Sequence, residues 1–451
     1  MGKKKIPEEG IYDARQLGAG RMFVLGFQHM FAMFGATVLV PILTGLDVST
    51  TLLFAGLGTL LFHLITGGII PAFLGSSFAF FGGYATIAPM IDGQPNSEML
   101  PYACFGVACA GLVYVILSAL FKAFGAKKVM RFFPPIVTGP IIIAIGLNLS
   151  SSAINNCAQN WWIAMVAIVI IIAANIWGKG MIKIIPILLG VIGSYLLAVI
   201  FDADVRANLV ANVSAAKWFA LPIKMEQTVF GLFASGNVDT HMLLTAVITI
   251  VPLSLATMVE HIGDVSAISS TCNRNYIENP GLHRTLMGDG LATSLAALFG
   301  APANTTYGEN TGVLALSKIY DPRVIRIAAV LAMLFSFSPK FAAVISSMPG
   351  GTIGGVSLVL YGMISAVGVR NVVENKVDFT KSRNVIIAAI IMVLALGISN
   401  SDAGCVTIGS VSLSGLAVAS IVGILLNAIL PGKDYEFGKD EQGDTSVNFK
   451  V

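Results

Sequence analysis

The sequence predicts an all-α polytopic membrane protein. It would have 14 transmembrane spans in a 7+7 inverted repeat, with two short antiparallel strands interrupting spans 3 and 10. Three observations carry this. The first is composition: 55% of the 451 residues are hydrophobic, 11% are charged, and mean hydropathy is +0.82. A soluble chain would usually carry about 25% charged residues. The second is spacing. Apolar runs of about 20 residues recur between short polar stretches, the length a helix needs to cross hydrocarbon. A transmembrane β-barrel would show short alternating segments instead. The third is that two polar, Gly-rich stretches break the apolar pattern, residues 71–83 and 300–312. Neither can face lipid, where its backbone groups would go unsatisfied.

In chain order, a basic segment, residues 1–21, leads into span 1 at 22–43 and span 2 at 50–66. It shows no cleavable signal peptide. The first break follows, and a short span 3 ends near residue 90. Span 4 covers 102–121, span 5 runs from the Pro134-Pro135 pair to 149, span 6 covers 161–177 and span 7 covers 184–201. Residues 202–240 form a polar connection with room for a short amphipathic helix. Span 8 covers 242–266, and a polar loop at 272–284 leads to span 9 at 286–299. The second break opens span 10, which ends near Lys318. Spans 11 to 14 fall at 325–345, 354–368, 385–398 and 411–430. The charged tail after Pro431 is expected to be disordered.

An even number of spans puts both termini on one side. The loops on that side hold 23 of the 27 Lys and Arg, leaving Arg206, Lys217, Lys224 and Lys340 on the other. By the positive-inside rule both termini are then cytoplasmic, in a cell membrane. The five cysteines are dispersed in or near apolar runs, which argues against a disulfide framework or a zinc site.

A weak repeat runs through the chain. Gln28-His29 in span 1 matches Glu260-His261 in span 8, and Ser77-Phe78 matches Gly308-Glu309, at an offset of about 231 residues. Each half has a polar pair and, 48 residues on, a Gly-rich break. Seven spans per half is an odd number, so the halves have opposite orientation. Inverted repeats with matched broken helices point to a secondary transporter with a midplane site.

The breaks read as short extended segments, each followed by a half-helix. Paired antiparallel, they satisfy one another's backbone groups, and the half-helix N-termini aim N–H groups at the centre. The competing reading is close helix packing through Gly and Ser. Intramembrane carboxylates mark function by default, which singles out Glu260 and Glu309. Asp264 lies one turn after Glu260 on the same face, and His261 points elsewhere. Glu309 also fits an N-cap carboxylate, a role compatible with binding. His29 reads as a core histidine that orients the nearby break, with a ligand role as the alternative; His63 and His283 read as structural. Phe78 beside the first break would wall a planar substrate or simply pack, and Tyr361 in span 12 has the same two readings. A Gly-x-x-x-x-Gly-Lys-Ser/Thr loop, His-Glu-x-x-His and Gly-x-Ser-x-Gly do not occur, which argues against an ATP-driven pump and the common intramembrane hydrolases.

Four motifs carry a resemblance: Gln28-His29-Met30-Phe31-Ala32-Met33-Phe34-Gly35-Ala36-Thr37, Leu74-Gly75-Ser76-Ser77-Phe78-Ala79-Phe80, Glu260-His261-Ile262-Gly263 and Asn304-Thr305-Thr306-Tyr307-Gly308-Glu309-Asn310. Over residues 22–430 the chain resembles the nucleobase–ascorbate transporter family, in particular its bacterial uracil permeases. The resemblance implies proton-coupled uptake of uracil. It implies a core domain at 22–133 and 242–346 and a gate domain at 134–201 and 347–432, with an extracellular connection at 202–241 and a cytoplasmic tail at 433–451. Phe78 would back the base, Glu260 and Glu309 would accept its N–H groups, and the Gly308 backbone would contribute. His29 would support the first break, and Tyr361 would belong to the gate side. Proton coupling would fall to Glu260, Asp264 and His29. A homodimer is implied by the resemblance alone. No cofactor, metal or nucleic-acid partner is expected, the coupling ion being a proton.

Three positions depart from the family pattern or refine it. One well-known permease pattern has histidine where this chain has Asp264, which leaves the local proton relay open. Ser317-Lys318 stands where the family reads Thr-Arg. Glu309 stands where purine-transporting relatives usually carry glutamine, which favours a pyrimidine. Uracil's alternating N–H and C=O edge suits a carboxylate acceptor beside backbone N–H donors, with an aromatic over its face. The alternatives are a purine (xanthine or urate) permease, an anion exchanger of the same architecture, and an intramembrane enzyme.

Overall fold

Helix ends in this chain are set by local chemistry. Asp47 Oδ1 accepts from Thr50 N at 2.8 Å and opens the helix Val48–Ile65. Asn160 Oδ1 accepts from Ile163 N at 3.2 Å and opens Trp161–Ile176. Both satisfy N–H groups that a helix start leaves unpaired. Proline stands in the first turn of Pro135–Asn148, Pro186–Phe201 and Pro322–Ser336, where its missing N–H costs nothing. The computed structural model describes residues 10–91, 94–408, 411–433 and 435, apart from the side chains at 36, 126, 127, 181, 184, 309, 408, 411 and 412. The tail expected to be disordered lies, beyond residue 435, outside the described residues.

Among the described residues, seven helices are long and apolar enough to cross a membrane, or nine if each of two bent pairs is one span. One bend corrects the expectation of a continuous span 11; the other falls where span 7 was expected to end. Pro186–Phe201 turns by 107° into Ala203–Ala215, where Asp202 caps a new helix by accepting from Asp204 N and Val205 N. Pro322–Ser336 turns by 88° into Pro339–Ser346, because Pro339 cannot continue the helix before it. Helix Ala203–Ala215 is the short helix expected in the connection. None of its residues is fully buried, but Val205 and Leu209, one turn apart, are half-buried against the core, which gives it an apolar face.

The helices pack in two groups. Leu282–Leu298 lies against Leu100–Phe124 and Val48–Ile65, and Pro322–Ser336 lies against Val48–Ile65 and Ala19–Thr44. In the other group, Gly350–Glu374 lies against Pro135–Asn148, Ser150–Gln159 and Trp161–Ile176, and Ser382–Ser399 packs on Gly415–Ile429.

Two strand pairs occur among the described residues. The expected pair is β1 (Leu74–Ser76) with β2 (Asn304–Thr306), antiparallel, with Gly75 opposite Thr305. A second pair, β3 (Cys405–Ile408) with β4 (Val411–Ser414), was not foreseen. It corrects the start of span 14: the chain is extended through Ser414, whose Oγ accepts from Ala417 N and opens the helix Gly415–Ile429. The partner strand supplies the β-branched run Val406-Thr407-Ile408, which suits a strand.

Candidate functional site

Three-residue strands cannot stand alone, so the question is what satisfies them. The ladder extends at both ends, Ser77 N donating to Ala303 O (3.0 Å) and Tyr307 N to Phe73 O (2.9 Å). Neighbouring helices supply the rest. Thr59 Oγ1 accepts from Leu74 N at 2.9 Å, and Thr293 Oγ1 donates to Asn304 O at 2.9 Å. Asn304 Nδ2 donates to Phe54 O at 2.7 Å, and the Tyr307 hydroxyl donates to Ser76 O at 2.8 Å. His63, expected to be structural, bonds Ala72 O at 2.9 Å through Nε2. Much of the buried extended backbone at this crossing is thus paired, as a membrane interior demands.

From the strand ends two half-helices diverge. A 3₁₀ turn, Phe78–Phe80, leads into Phe81–Ile87; Glu309–Ser317 follows the other strand, with Gly308 at its N-cap. The opening N–H groups of Glu309–Ser317 have no carbonyl a turn earlier within the helix. Gly308 is required there by crowding: a Cβ would lie 2.8 Å from Asp264 Oδ1. Gly75 is required likewise, since its Cβ would lie 2.6 Å from Thr37 Oγ1.

Glu260 and Asp264 project from the helix Leu253–Thr271 into one cavity of about 540 Å³, which Gly308 also lines. A small pocket of about 30 Å³ adjoins it, lined by Ser77, Phe78, Tyr307 and Ile145. Glu260, Gly308 and Ile364 line both. Phe78 and Tyr361 meet edge to face with ring centroids 5.2 Å apart, so the 3₁₀ turn of the first half-helix touches the helix Gly350–Glu374. The structure therefore gathers Phe78, Glu260, Asp264, Gly308 and Tyr361. The side chain of Glu309 lies outside the described residues; its backbone opens the second half-helix.

His29 differs from its expected place. Its described contacts run to the second break: Asn310 Nδ2 lies 3.3 Å from both His29 Nδ1 and His29 O. Support of the first break falls instead to Thr37, whose carbonyl accepts from Ser76 Oγ at 3.1 Å and whose hydroxyl donates to the Tyr307 hydroxyl at 3.2 Å.

His261 does point away from Glu260, but into a polar cluster that sequence reasoning missed. Its Nδ1 lies 3.1 Å from Asp289 Oδ2 and 3.1 Å from Thr306 Oγ1, and Thr306 donates to Asp289 Oδ1 at 2.8 Å. All three side chains are buried, and the cluster pins β2 between two helices. Asp289 was discoverable: it is a carboxylate inside expected span 9, the same signal that picked out Glu260.

A multi-pass helical bundle with two broken crossings meeting at an interior polar pocket defines a membrane transporter, not an enzyme. The chain matches the model of a permease family over residues 20–404, and it belongs to that family. A uracil permease of Bacillus caldolyticus is 40% identical over 92% of this chain and 93% of its own length. A uracil permease of Bacillus subtilis (strain 168) is 39% identical over 100% of both chains. Among solved structures, the transmembrane domain of a cyanobacterium bicarbonate transporter, BicA, aligns with TM-score 0.55 at 15% identity, over 93% of this chain and 99% of that one. SLC26A9 aligns with TM-score 0.63 at 11% identity, over 92% of this chain and 66% of that one. At such low identity these two show the fold alone.

Proposed function

We propose that this chain imports uracil or a close pyrimidine base by proton symport. The observation that carries the reading is the convergence of Phe78, Glu260 and Gly308 on one pocket, lined from the other helix group by Ile364, with Tyr361 packed on Phe78. A pyrimidine offers N–H groups to the Glu260 and Glu309 carboxylates, carbonyls to backbone N–H groups at the half-helix start, and a flat face to Phe78. The names of the full-length relatives support a uracil-type base.

The same proposal covers the architecture. The nine long or bent spans, the shorter helices Trp161–Ile176 and Gly415–Ile429, the helix Leu282–Leu298 and the two strand-broken crossings together make 14. Seven and seven then form the inverted repeat, with both termini cytoplasmic. The core domain is 22–133 with 242–346, and the gate domain is 134–201 with 347–432; the two packing groups support this division. Alternating access is motion of core against gate. The small pocket is too tight for a ring as it stands, so the base sits at its junction with the larger cavity, beside Glu260. Proton coupling falls to Glu260 with Asp264, and His29 acts on it through Asn310.

Radiolabelled uracil uptake in reconstituted vesicles tests the reading. Accumulation is expected only with an inward proton gradient, and excess unlabelled uracil should compete where xanthine does not. Gradient-independent equilibration would remove the symport step, and stronger competition by xanthine would move the substrate to a purine.

A further inference from the structure

The residues just before the first helix make a set of contacts that the site does not use. Ile11 pairs with Ile319 in a short parallel bridge, Ile11 N donating to Lys318 O and Tyr320 N to Ile11 O, both at 2.8 Å. Lys318 is the left-handed residue that ends the second half-helix, Glu309–Ser317. The Tyr12 hydroxyl donates to Cys272 O at 2.6 Å, and Cys272 is the C-cap of the Glu260 helix. The Arg274 guanidinium lies 4.1 Å over the Tyr12 ring, and the Tyr320 ring packs on its side at 5.3 Å. Ala14 N donates to Asp321 Oδ2 at 2.7 Å, and Arg323 bonds both Asp13 (3.0 Å) and Asp321 (3.3 Å). Ile11 and Ala14 close a small apolar cluster with Ile319 and Val324. Gly10 enters this corner at φ +83°, where a Cβ would strike the Tyr320 ring.

One segment therefore holds the far ends of both helices that carry the site. Cys272 is about 18 Å along its helix from Glu260, and Lys318 about 15 Å along from Gly308, so the two lever arms are similar. A nine-residue helix has little stability of its own and takes its position from what holds its ends. At the site end, β2 holds it; at the other, residues 10–17 do.

We propose that residues 10–17 are a strap that sets the spacing of the Glu260 helix and the Gly308 half-helix, with Tyr12 as a positioning residue for transport. The proposal rests on the transport reading above. The strap is not itself a sensor of the carried proton. Its hydrogen bond with Arg15 lowers the Asp13 carboxyl from 3.8 to about 2. A depressed carboxyl contributes above its unfolded value and loses that contribution only as pH falls toward 2, far below the working range.

The test uses the full chain, with Cys272 as the sole cysteine for labelling. Burial pushes the Cys272 thiol up to about 12, so its labelling is slow while the corner stays closed. Tyr12→Ala is expected to raise the KM for uracil about fivefold or more at unchanged amounts in the membrane, and to speed Cys272 labelling by a similar factor. Tyr12→Phe keeps the ring under Arg274 and loses the bond to Cys272 O, so it should fall between. Parental KM in Tyr12→Ala overturns the proposal, even if labelling is faster, because the strap would then be a cover and no more. If Tyr12→Ala fails to insert, Arg323→Gln cuts the other end and is read the same way. A parent that takes up no uracil would count against the transport reading, whereas a parent that takes it up while Tyr12→Ala keeps the parental KM counts against the strap alone.

Discussion

The two breaks share a plan and differ in chemistry. In the first, β1 runs through Ser77 into a 3₁₀ turn of Phe78, Ala79 and Phe80, all buried. In the second, β2 runs through Tyr307 to Gly308, Glu309 and Asn310 at a helix start. One supplies an aromatic wall, the other backbone N–H groups beside acids. Ser77 and Gly308, 231 residues apart in the sequence, show the divergence most sharply. Ser77 has a buried side chain, whereas Gly308 leaves no room for one against Asp264. The two breaks thus share a backbone geometry and, on the proposed reading, divide the work of binding a flat polar solute.

If polar recognition sits on the second side, the largest loss should come there. Glu260→Gln keeps the shape and removes the charge. It is expected to abolish concentrative uptake, by roughly 100-fold or more, since a charge-assisted hydrogen bond and the proton acceptor are lost together. Vesicles under an imposed pH gradient measure this; a Glu260→Gln protein that still concentrated uracil would falsify the coupling role.

The paired positions give the next test. Gly308→Ala forces a methyl against Asp264 and should raise KM on the order of tenfold. Ser77→Ala adds no volume and should change KM by no more than about twofold. Combining Gly308→Ala with Asp264→Ala should cost little beyond Asp264→Ala alone, as expected for residues in contact. Equal effects at Ser77 and Gly308 would erase the asymmetry drawn above.

Much of this arrangement was legible in the chain. Gly-rich polar stretches inside apolar runs have only one acceptable environment, which is why β1 and β2 could be anticipated to pair. Isolated acids such as Glu260 announce themselves because lipid tolerates them so poorly. Partners were harder. That His29 reaches Asn310, that His261 meets Asp289, and that Thr37 steadies Ser76 depend on how distant helices rotate against each other, which one-dimensional spacing does not encode. The hairpin β3–β4 was hidden for another reason: Val411 to Ser414, half of them apolar and directly before an apolar helix, read as part of the span.

On the aromatic side, Phe78→Ala should raise KM about tenfold, in line with the loss of one base–aromatic stack. Its effect on maximal rate should be smaller, since the proton acceptor is untouched. A change in rate with KM preserved would mean that Phe78 serves movement, through its contact with Tyr361, and not the base.

Tyr361 makes the smallest and finest test. Its ring is buried against Phe78, while its hydroxyl interacts with the Ser357 side chain of its own helix. Tyr361→Phe keeps the edge-to-face contact, worth about 0.5–1.5 kcal/mol beyond its buried area, and removes only the hydroxyl. KM is therefore expected to move by less than about threefold, the span of a weak neutral hydrogen bond. Tyr361→Ala should cost more, because it also takes the ring from Phe78. If Tyr361→Phe alone raised KM about tenfold, the hydroxyl would be a ligand of the bound base, and polar recognition would extend from the second break across to the facing helix.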